Sequence, residues 1–146
     1  ALNNFSNEHG MANSRARLRM TTLYQVAAAN KGIVVGTGNK VEDFGVGFYT
    51  KYGDGGVDIS PIADCNKTEV WELGKELGIL DDIINAAPTD GLWDDGRTDE
   101  GQLGLSYKEL EEAMNNENSV NREKYNSIRN ANLHKMEPIP VCKIPN

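Results

Sequence analysis

The chain has 146 residues, of which 38% are apolar and 25% charged, and its formal net charge is −7 at pH 7. These values are typical of one compact globular domain and disfavour a disordered segment. The negative charge disfavours sequence-independent nucleic-acid binding, which needs a basic face. No apolar run approaches the roughly 18 residues that a membrane-spanning helix requires, so we expect no membrane insertion. Cys65 and Cys142 form no metal-binding pair, and a reducing, cytoplasmic compartment fits best.

The first part of the chain alternates polar and apolar segments. The polar stretch at residues 1–10 has no secretion leader and indicates a loop, or a cut inside a longer protein. Asn13 or Ser14 can then cap a helix that runs to about Asn30. The apolar run 33–35 is typical of a strand buried on both faces of a parallel sheet.

Later segments repeat this order. Residues 57–59 alternate like a short strand, and 48–52 is aromatic and ambiguous. Capping boxes at Asn66/Glu69 and Ser106/Glu109 predict two helices. A last helix is expected over 120–132, followed by an extended proline-containing tail at 138–145.

This alternation of helices and strands predicts an α/β fold with a parallel sheet. Only two strands are convincing, and each strand needs neighbours to pair its backbone groups. We therefore expect the rest of the sheet to lie outside this chain.

The turn at 36–40 follows the first predicted strand, where open α/β sheets place their ligands. Its backbone amides could hold phosphate, although a plain tight turn explains the glycines equally well. A dinucleotide-binding fingerprint would need a third glycine at position 41, where Val41 stands, and this disfavours a Rossmann dehydrogenase. Nearby carboxylates could hold Mg²⁺, and nearby lysines could offset phosphate charge.

Several motifs together resemble the NAD synthetase family. They are Gly36-Thr-Gly-Asn-Lys-Val-Glu42, Phe48-Tyr-Thr-Lys-Tyr-Gly-Asp-Gly-Gly56, Asp58-Ile-Ser-Pro61, Asn66-Lys67, Ala16-Arg-Leu-Arg-Met20, Ala87-Pro-Thr89 and His134-Lys135. The resemblance implies a doubly wound parallel sheet of the adenine nucleotide α-hydrolase-like type and a homodimer. It also implies ATP-dependent amidation of deamido-NAD by ammonia, through an acyl-adenylate, with release of AMP and pyrophosphate.

The resemblance also implies roles for individual residues. Those expected to contact ATP are Thr37, Lys67 and Thr89, and Glu42 is the expected Mg²⁺ ligand. Those expected to contact deamido-NAD are Arg17, Lys51, Asp58, His134, Lys135 and the stacking residue Phe48. Asp58 is in addition our candidate to deprotonate or orient ammonia, because aspartate is depleted in strands and a functional role would explain it.

One motif of the family is absent. Its ATP-pyrophosphate loop, Ser-Gly-Gly-x-Asp-Ser, does not occur in these 146 residues. We therefore interpret residues 1–146 as the C-terminal portion of a single NAD synthetase domain that is inactive alone. The glycine-rich segment 88–105 is long for a structureless loop, and we predict that it is a mobile lid.

Simpler interpretations stand beside these. Arg15, Arg17 and Arg19 could be a solvated helix face, and Glu42 could only satisfy a helix dipole. Lys51 and Lys67 could be surface lysines. The chain could also be a nucleotide-binding or dimerisation fragment, or another amidotransferase of the ATP-pyrophosphatase fold.

Overall fold

The structure is a computed structural model that describes residues 7–145. Six α-helices and one π-helix are present in that range. They are α1 (Glu8–Ala29), the π-helix (Lys40–Val46), α2 (Lys67–Glu76), α3 (Asp81–Ile84), α4 (Asp99–Leu103), α5 (Tyr107–Asn115) and α6 (Arg122–Met136). None of the described helices has the length and apolar character needed to cross a membrane. The segment 1–6, part of the polar start, lies outside the described residues.

Helix α1 begins six or seven residues earlier than the caps predicted at Asn13 or Ser14. Its N-cap is Asn7, whose side-chain oxygen accepts a hydrogen bond from the Gly10 amide at 2.7 Å. Ser14, a predicted cap, lies inside the helix, and its hydroxyl donates to the carbonyl of Gly10. The predicted cap was wrong because a serine within a helix can bond back to the preceding turn.

The capping-box helices are where the sequence placed them. Ser106 and Glu109 cap α5 reciprocally, with the Ser106 amide 2.7 Å from the Glu109 carboxylate. At α2 the Glu69 carboxylate accepts from the Asn66 amide at 2.6 Å, while Asn66 Oδ1 is buried without a partner among the described residues. Helix α6 extends to Met136, beyond its predicted end.

The two predicted strands meet only as a short parallel pairing. Val35 and Ile59 form one bridge, in which the Gly36 amide donates to Ile59 at 2.7 Å and the Asp58 amide donates to Val34 at 3.0 Å. No longer strand is present in residues 7–145. Among residues 7–145 these two short segments are paired only with each other, so the structure does not test the wider sheet that was expected to lie outside this chain.

The core lies where the π-helix meets α5 and α6. Its buried side chains are Val41, Val46, Leu103, Leu105, Tyr107, Leu110, Ala113 and Tyr125. The π-helix ends at Gly47, which has a φ of 65° and would place a Cβ 2.7 Å from the Asn132 Cβ of α6. Only glycine allows this left-handed cap together with such close approach to α6.

The block 50–56 forms a turn that joins the core to α1. The buried Thr50 accepts from the Gly53 amide through its carbonyl, and its hydroxyl donates to Asn13 of α1 at 2.7 Å. Its own amide donates to the Asp54 carboxylate at 2.9 Å. The ambiguous aromatic stretch is thus a structured turn that fixes Asp54 next to α1.

Candidate functional site

Two adjoining cavities, each of about 400 Å³, lie between α1, the π-helix, α6 and the loop after α3. We call them the Glu42 cavity and the Lys135 cavity. Four residues line both: Phe48, Asp54, Asp90 and Leu92. A ligand in one cavity would therefore be next to a ligand in the other.

The Glu42 cavity collects every residue that the sequence assigned to ATP or metal. These are Thr37, Glu42, Lys67 and Thr89. Glu42 and Lys67 form an ion pair at 3.1 Å, with both side chains largely buried. No hydrogen bond joins the backbone amides of Thr37 or Gly38 to another described residue.

The Lys135 cavity collects most residues that the sequence assigned to deamido-NAD. These are Arg17, Phe48, Lys51, His134 and Lys135. Lys51 Nζ donates to the His134 carbonyl at 2.6 Å, and Lys135 Nζ donates to the carbonyls of Gly47 and Tyr49 at 2.8 Å each. Burial lowers the pKa of Lys135, while the negative charge of Asp54 opposes that shift. Three cationic side chains and an aromatic ring suit an anionic ligand with a ring system.

Asp58 is the one predicted site residue that lines neither cavity. Its Oδ2 accepts from the Val34 amide at 2.8 Å, and its Oδ1 lies 3.4 Å from the Tyr24 hydroxyl. In this arrangement its carboxylate satisfies the backbone beside the Val35–Ile59 bridge.

Asp54, unlike Asp58, lies where the two cavities adjoin. It lines both cavities, and enclosure by protein raises the pKa of its carboxyl group despite the opposing hydrogen bond from the Thr50 amide. Asp43, in the Glu42 cavity, is affected more strongly, because burial and the charges of Glu42 and Asp54 raise its pKa to about 6. Clustered carboxylates with raised pKa values are typical of sites that handle cations or protons.

The loop between α3 and α4 closes the outer side of both cavities. Arg15 of α1 donates to the Leu92 carbonyl at 2.6 Å, and Arg19 donates to the Gly91 carbonyl at 2.7 Å. Within the loop, the Asp90 carboxylate accepts from Trp93 Nε1 at 3.2 Å and from Gln102 Nε2 of α4 at 3.1 Å. Arg15 and Arg19 therefore hold this loop. The alternative interpretation, in which the arginines form only a solvated helix face, did not predict these contacts.

Glu42 can serve as one ligand to Mg²⁺. Both of its hydrogen-bonding partners, Lys67 and Tyr107, use Oε1, and no described residue donates to Oε2. Residues 7–145 hold no group of three or more potential ligands that could form a metal cage. In proteins, Mg²⁺ typically keeps several waters and is held by one or two carboxylates plus substrate phosphates.

Sequence reasoning missed several residues of the site. Asp43, Asp90 and Asp99 line the Glu42 cavity, and Tyr107 bonds to Glu42 from the core. Asp54 stands within the motif 48–56, so the motif itself could have identified it. Tyr107 lies in no such motif. From the sequence alone, a tyrosine at the start of a helix cannot be distinguished from an ordinary core residue, because its distant partner is not known.

Comparison with known proteins supports one family. The family model for NAD synthase matches residues 2–143. An NH(3)-dependent NAD(+) synthetase of Methanosarcina acetivorans is 42% identical, over 88% of this chain and 56% of that protein. An NMN synthetase of Francisella tularensis has a TM-score of 0.87 and 34% identity, over 98% of this chain and 60% of that one. An NH3-dependent NAD synthetase of Campylobacter jejuni has a TM-score of 0.64 and 25% identity, over 90% and 54%.

The chain spans about half the length of the curated relatives that it matches. The matched region nevertheless includes every motif on which the resemblance was based. On the strength of the family model and of these relatives, the chain belongs to the NAD synthase family.

Proposed function

We propose that the full-length protein containing this chain is a ligase that converts deamido-NAD to NAD with ATP and ammonia. One observation carries the proposal: two cavities, one with the expected nucleotide and metal residues and one with the expected residues for an anionic second ligand, share a wall. In this arrangement the acid group of one ligand can meet the α-phosphorus of the other.

In the first step, an oxygen of the nicotinate carboxylate attacks the α-phosphorus of ATP, and the bond to pyrophosphate breaks. No protein nucleophile is needed, so the chain contributes positioning and charge. Thr37, Thr89 and Lys67 contact ATP in the Glu42 cavity. Glu42 would hold Mg²⁺, which when bound offsets the charge of the leaving pyrophosphate.

In the second step, ammonia attacks the acyl carbon, and AMP leaves with the bonding electrons of its oxygen. The nitrogen must lose a proton as the amide forms. We propose the Asp54 carboxylate as the acceptor, because Asp54 lies at the junction of the two cavities and its raised pKa favours holding a proton. Asp58 remains a proposed contact to deamido-NAD on the resemblance alone.

Other features of the full-length protein complete this proposal. The Val35–Ile59 pairing would belong to a doubly wound parallel sheet whose other strands lie upstream, with the Ser-Gly-Gly-x-Asp-Ser loop. This chain alone would then bind nucleotide without turning it over. We further propose a cytoplasmic homodimer in which residues 88–105 act as a lid.

The test uses the full-length protein and measures AMP release that depends on both deamido-NAD and ammonia. Lys67→Met should raise the KM for ATP more than that for deamido-NAD, and Lys51→Met should do the reverse. Lys108→Met, at an exposed position on α5, is the matched control. Turnover with a different acid, and none with deamido-NAD, would favour another amidotransferase of this fold.

A second candidate substrate is the mononucleotide acid that an amidation converts to NMN. It is favoured by the TM-score of 0.87 to an NMN synthetase, against 0.64 to an NAD synthetase. Both acids share the nicotinate carboxylate, so the chemistry of the two steps is the same. Comparing kcat/KM for the two acids on the full-length protein decides between them.

The isolated chain provides a further test. Calorimetry of residues 1–146 with deamido-NAD should show binding without AMP release if the chain is a nucleotide-binding portion of the enzyme. Absence of heat with either acid would remove the fragment interpretation and leave the cavities dependent on the rest of the protein.

A further inference from the structure

The hydroxyl of Tyr107 lies between two carboxylates. It donates to Glu42 Oε1 and lies 3.2 Å from Asp99 Oδ2. A hydroxyl carries one proton, so it can donate to only one of these groups at a time. Lys67, the ion-pair partner of Glu42, lies 4.9 Å from the centre of the Tyr107 ring. Glu42 is therefore held from two sides, by a cation and by a buried hydroxyl.

The position of this hydroxyl is fixed by the core. Tyr107 has no solvent exposure, and its ring meets the Trp71 ring edge-on with the centres 5.9 Å apart. Its backbone amide donates to the Glu100 carboxylate at 2.9 Å. Because the ring and the backbone are both held, the hydroxyl cannot follow a displaced Glu42 without disturbing the packing of α5.

Asp99 connects this network to the loop that closes the cavities. It is 7% exposed, lines the Glu42 cavity, and donates through its amide to the Pro88 carbonyl at 3.0 Å. Its Oδ1 is buried with no hydrogen-bond partner among the described residues. Asp99 thus contacts two parts of the structure. Its backbone bonds to the start of the loop, and its carboxylate contacts the Tyr107 hydroxyl that holds Glu42.

We propose that Tyr107 is a positioning residue: it orients Glu42 toward a bound Mg²⁺–nucleotide complex and, through Asp99, joins Glu42 to the closing loop. Tyr107 lines neither cavity, so it acts through Glu42 and not on the substrate. The inference rests on the proposed function, because Glu42 meets the metal only there. Outer groups that hold a ligand carboxylate typically change metal affinity by about 10–100-fold when they are removed.

The test compares two tyrosines of the full-length protein. Tyr107→Phe removes the hydroxyl and keeps the ring. Tyr125→Phe is the matched control, because Tyr125 is also buried and its hydroxyl donates to a carbonyl of the same π-helix, that of Gly45 at 3.2 Å. Tyr107→Phe should raise the Mg²⁺ concentration for half-maximal amidation about tenfold or more. Tyr125→Phe should leave that concentration unchanged.

A second readout does not depend on turnover. Binding of Mn²⁺ to the protein with a non-hydrolysable ATP analogue, followed by electron paramagnetic resonance, should weaken about tenfold in Tyr107→Phe and stay unchanged in Tyr125→Phe. Hydrogen exchange without metal or nucleotide should rise at the amides of α4 only in Tyr107→Phe. Thermal unfolding shows whether either variant fails to fold.

Equal shifts in the two variants, or no shift in Tyr107→Phe, would overturn the positioning role. If the wild-type protein amidates neither acid, the proposed function fails. The Mn²⁺ and hydrogen-exchange measurements then still decide the role of Tyr107, and absence of Mn²⁺ binding with the ATP analogue counts against it.

Discussion

The Asn39 side chain sets the position of Glu42, the proposed Mg²⁺ ligand. It is 1% exposed, and its Oδ1 accepts from the amides of Val41 and Glu42 at 3.0 and 3.1 Å. These bonds cap the π-helix at the turn where Glu42 leaves the backbone. π-Helices are rare and are frequent at functional sites, so this cap combines a structural and a site-forming role.

We expect Asn39→Ala to lower the free energy of unfolding by about 1–3 kcal/mol, because one buried and one half-buried amide lose their acceptor. The same variant should weaken Mg²⁺-dependent activity of the full-length protein, since Glu42 loses its fixed backbone. Asn7→Ala, at the exposed cap of α1, is the control and should affect stability less and Mg²⁺ dependence not at all. Equal effects of the two variants on Mg²⁺ dependence would contradict this role.

Asp99 gives a prediction about pH. Burial raises its pKa, the Tyr107 hydroxyl opposes the shift, and the charges of Glu42 and Asp90 add to it. The folded protein therefore keeps a proton on Asp99 where the unfolded chain has lost it. This contribution favours folding at low pH, and it is lost as pH rises from about 4 through the raised pKa.

In Asp99→Asn the carboxyl group cannot ionise. We therefore expect the free energy of unfolding of this variant to fall less steeply than that of the wild type as pH rises through this window, in metal-free buffer. Denaturant unfolding at a series of pH values measures this dependence of the free energy of unfolding on pH. Asp64→Asn, at an exposed carboxylate paired with Lys40, should keep the wild-type slope. A wild-type slope in Asp99→Asn would show that Asp99 is not responsible.

At the level of single residues, the sequence identified groups that belong to contiguous motifs. Glu42, Lys51 and Lys67 were predicted in this way, and all three line the two adjoining cavities. Asp99 and Tyr107 were not predicted, because each can be recognised only from its contact with a residue distant in the chain. Asp99 contacts Tyr107, eight residues away, and Tyr107 contacts Glu42, 65 residues away. A pattern within one sequence carries no signal for contacts at that separation.

Among the elements, helices with local start signals could be predicted and the pairings between elements could not. The Ser106/Glu109 box lies at the start of α5, because both halves of the signal are three residues apart. The π-helix was missed, because its cap Asn39 stands in a glycine-rich turn that looks like a phosphate loop. The predicted strands contact each other, but a sheet requires further partners that residues 7–145 do not supply.

The loop between α3 and α4 depends on α1 for its position. Removing its anchors with Arg15→Ala and Arg19→Ala together should raise hydrogen exchange at the loop amides of residues 90–95 by about five- to tenfold, since a charged hydrogen bond contributes about 1.5–3 kcal/mol before solvent screening. ATP should reduce exchange of this loop in the full-length wild-type protein if it is a lid. Lys108→Ala is the control and should leave the loop unchanged.

Exchange that is the same in the double variant and in the wild type would mean that the arginine contacts do not hold the loop. Exchange that ATP does not change would remove the lid proposal while leaving the arginine anchors intact. The two outcomes are separate, because the anchors are intramolecular contacts and the lid requires a response to nucleotide.

The whole molecule leaves large apolar side chains exposed along α1 and beside the bridge. On α1, Leu18 is 68% exposed and Val26 is 54% exposed, and Ile33 and Val35 near the bridge are 58% and 51% exposed. Single exposed apolar residues are common, but a contiguous apolar surface usually marks a contact. The chain also spans only about half the length of its curated relatives. We therefore expect other parts of the full-length protein, or a second copy of it, to cover the α1 surface.

Leu18 distinguishes a covered surface from an open one. If α1 is covered in the full-length protein, Leu18→Ala should lower its free energy of unfolding by about 2–4 kcal/mol, as for a buried leucine. The same substitution in the isolated chain should cost much less, because the side chain is mostly exposed there. Val120→Ala, at a position that is 96% exposed, is the control and should change the free energy of unfolding of either protein by no more than about 0.5 kcal/mol. Denaturant unfolding of both proteins provides the comparison, with protein concentration varied to detect a contribution from a second copy. If Leu18→Ala lowers the free energy of unfolding by the same small amount in the full-length protein and in the isolated chain, the surface of α1 stays open to solvent.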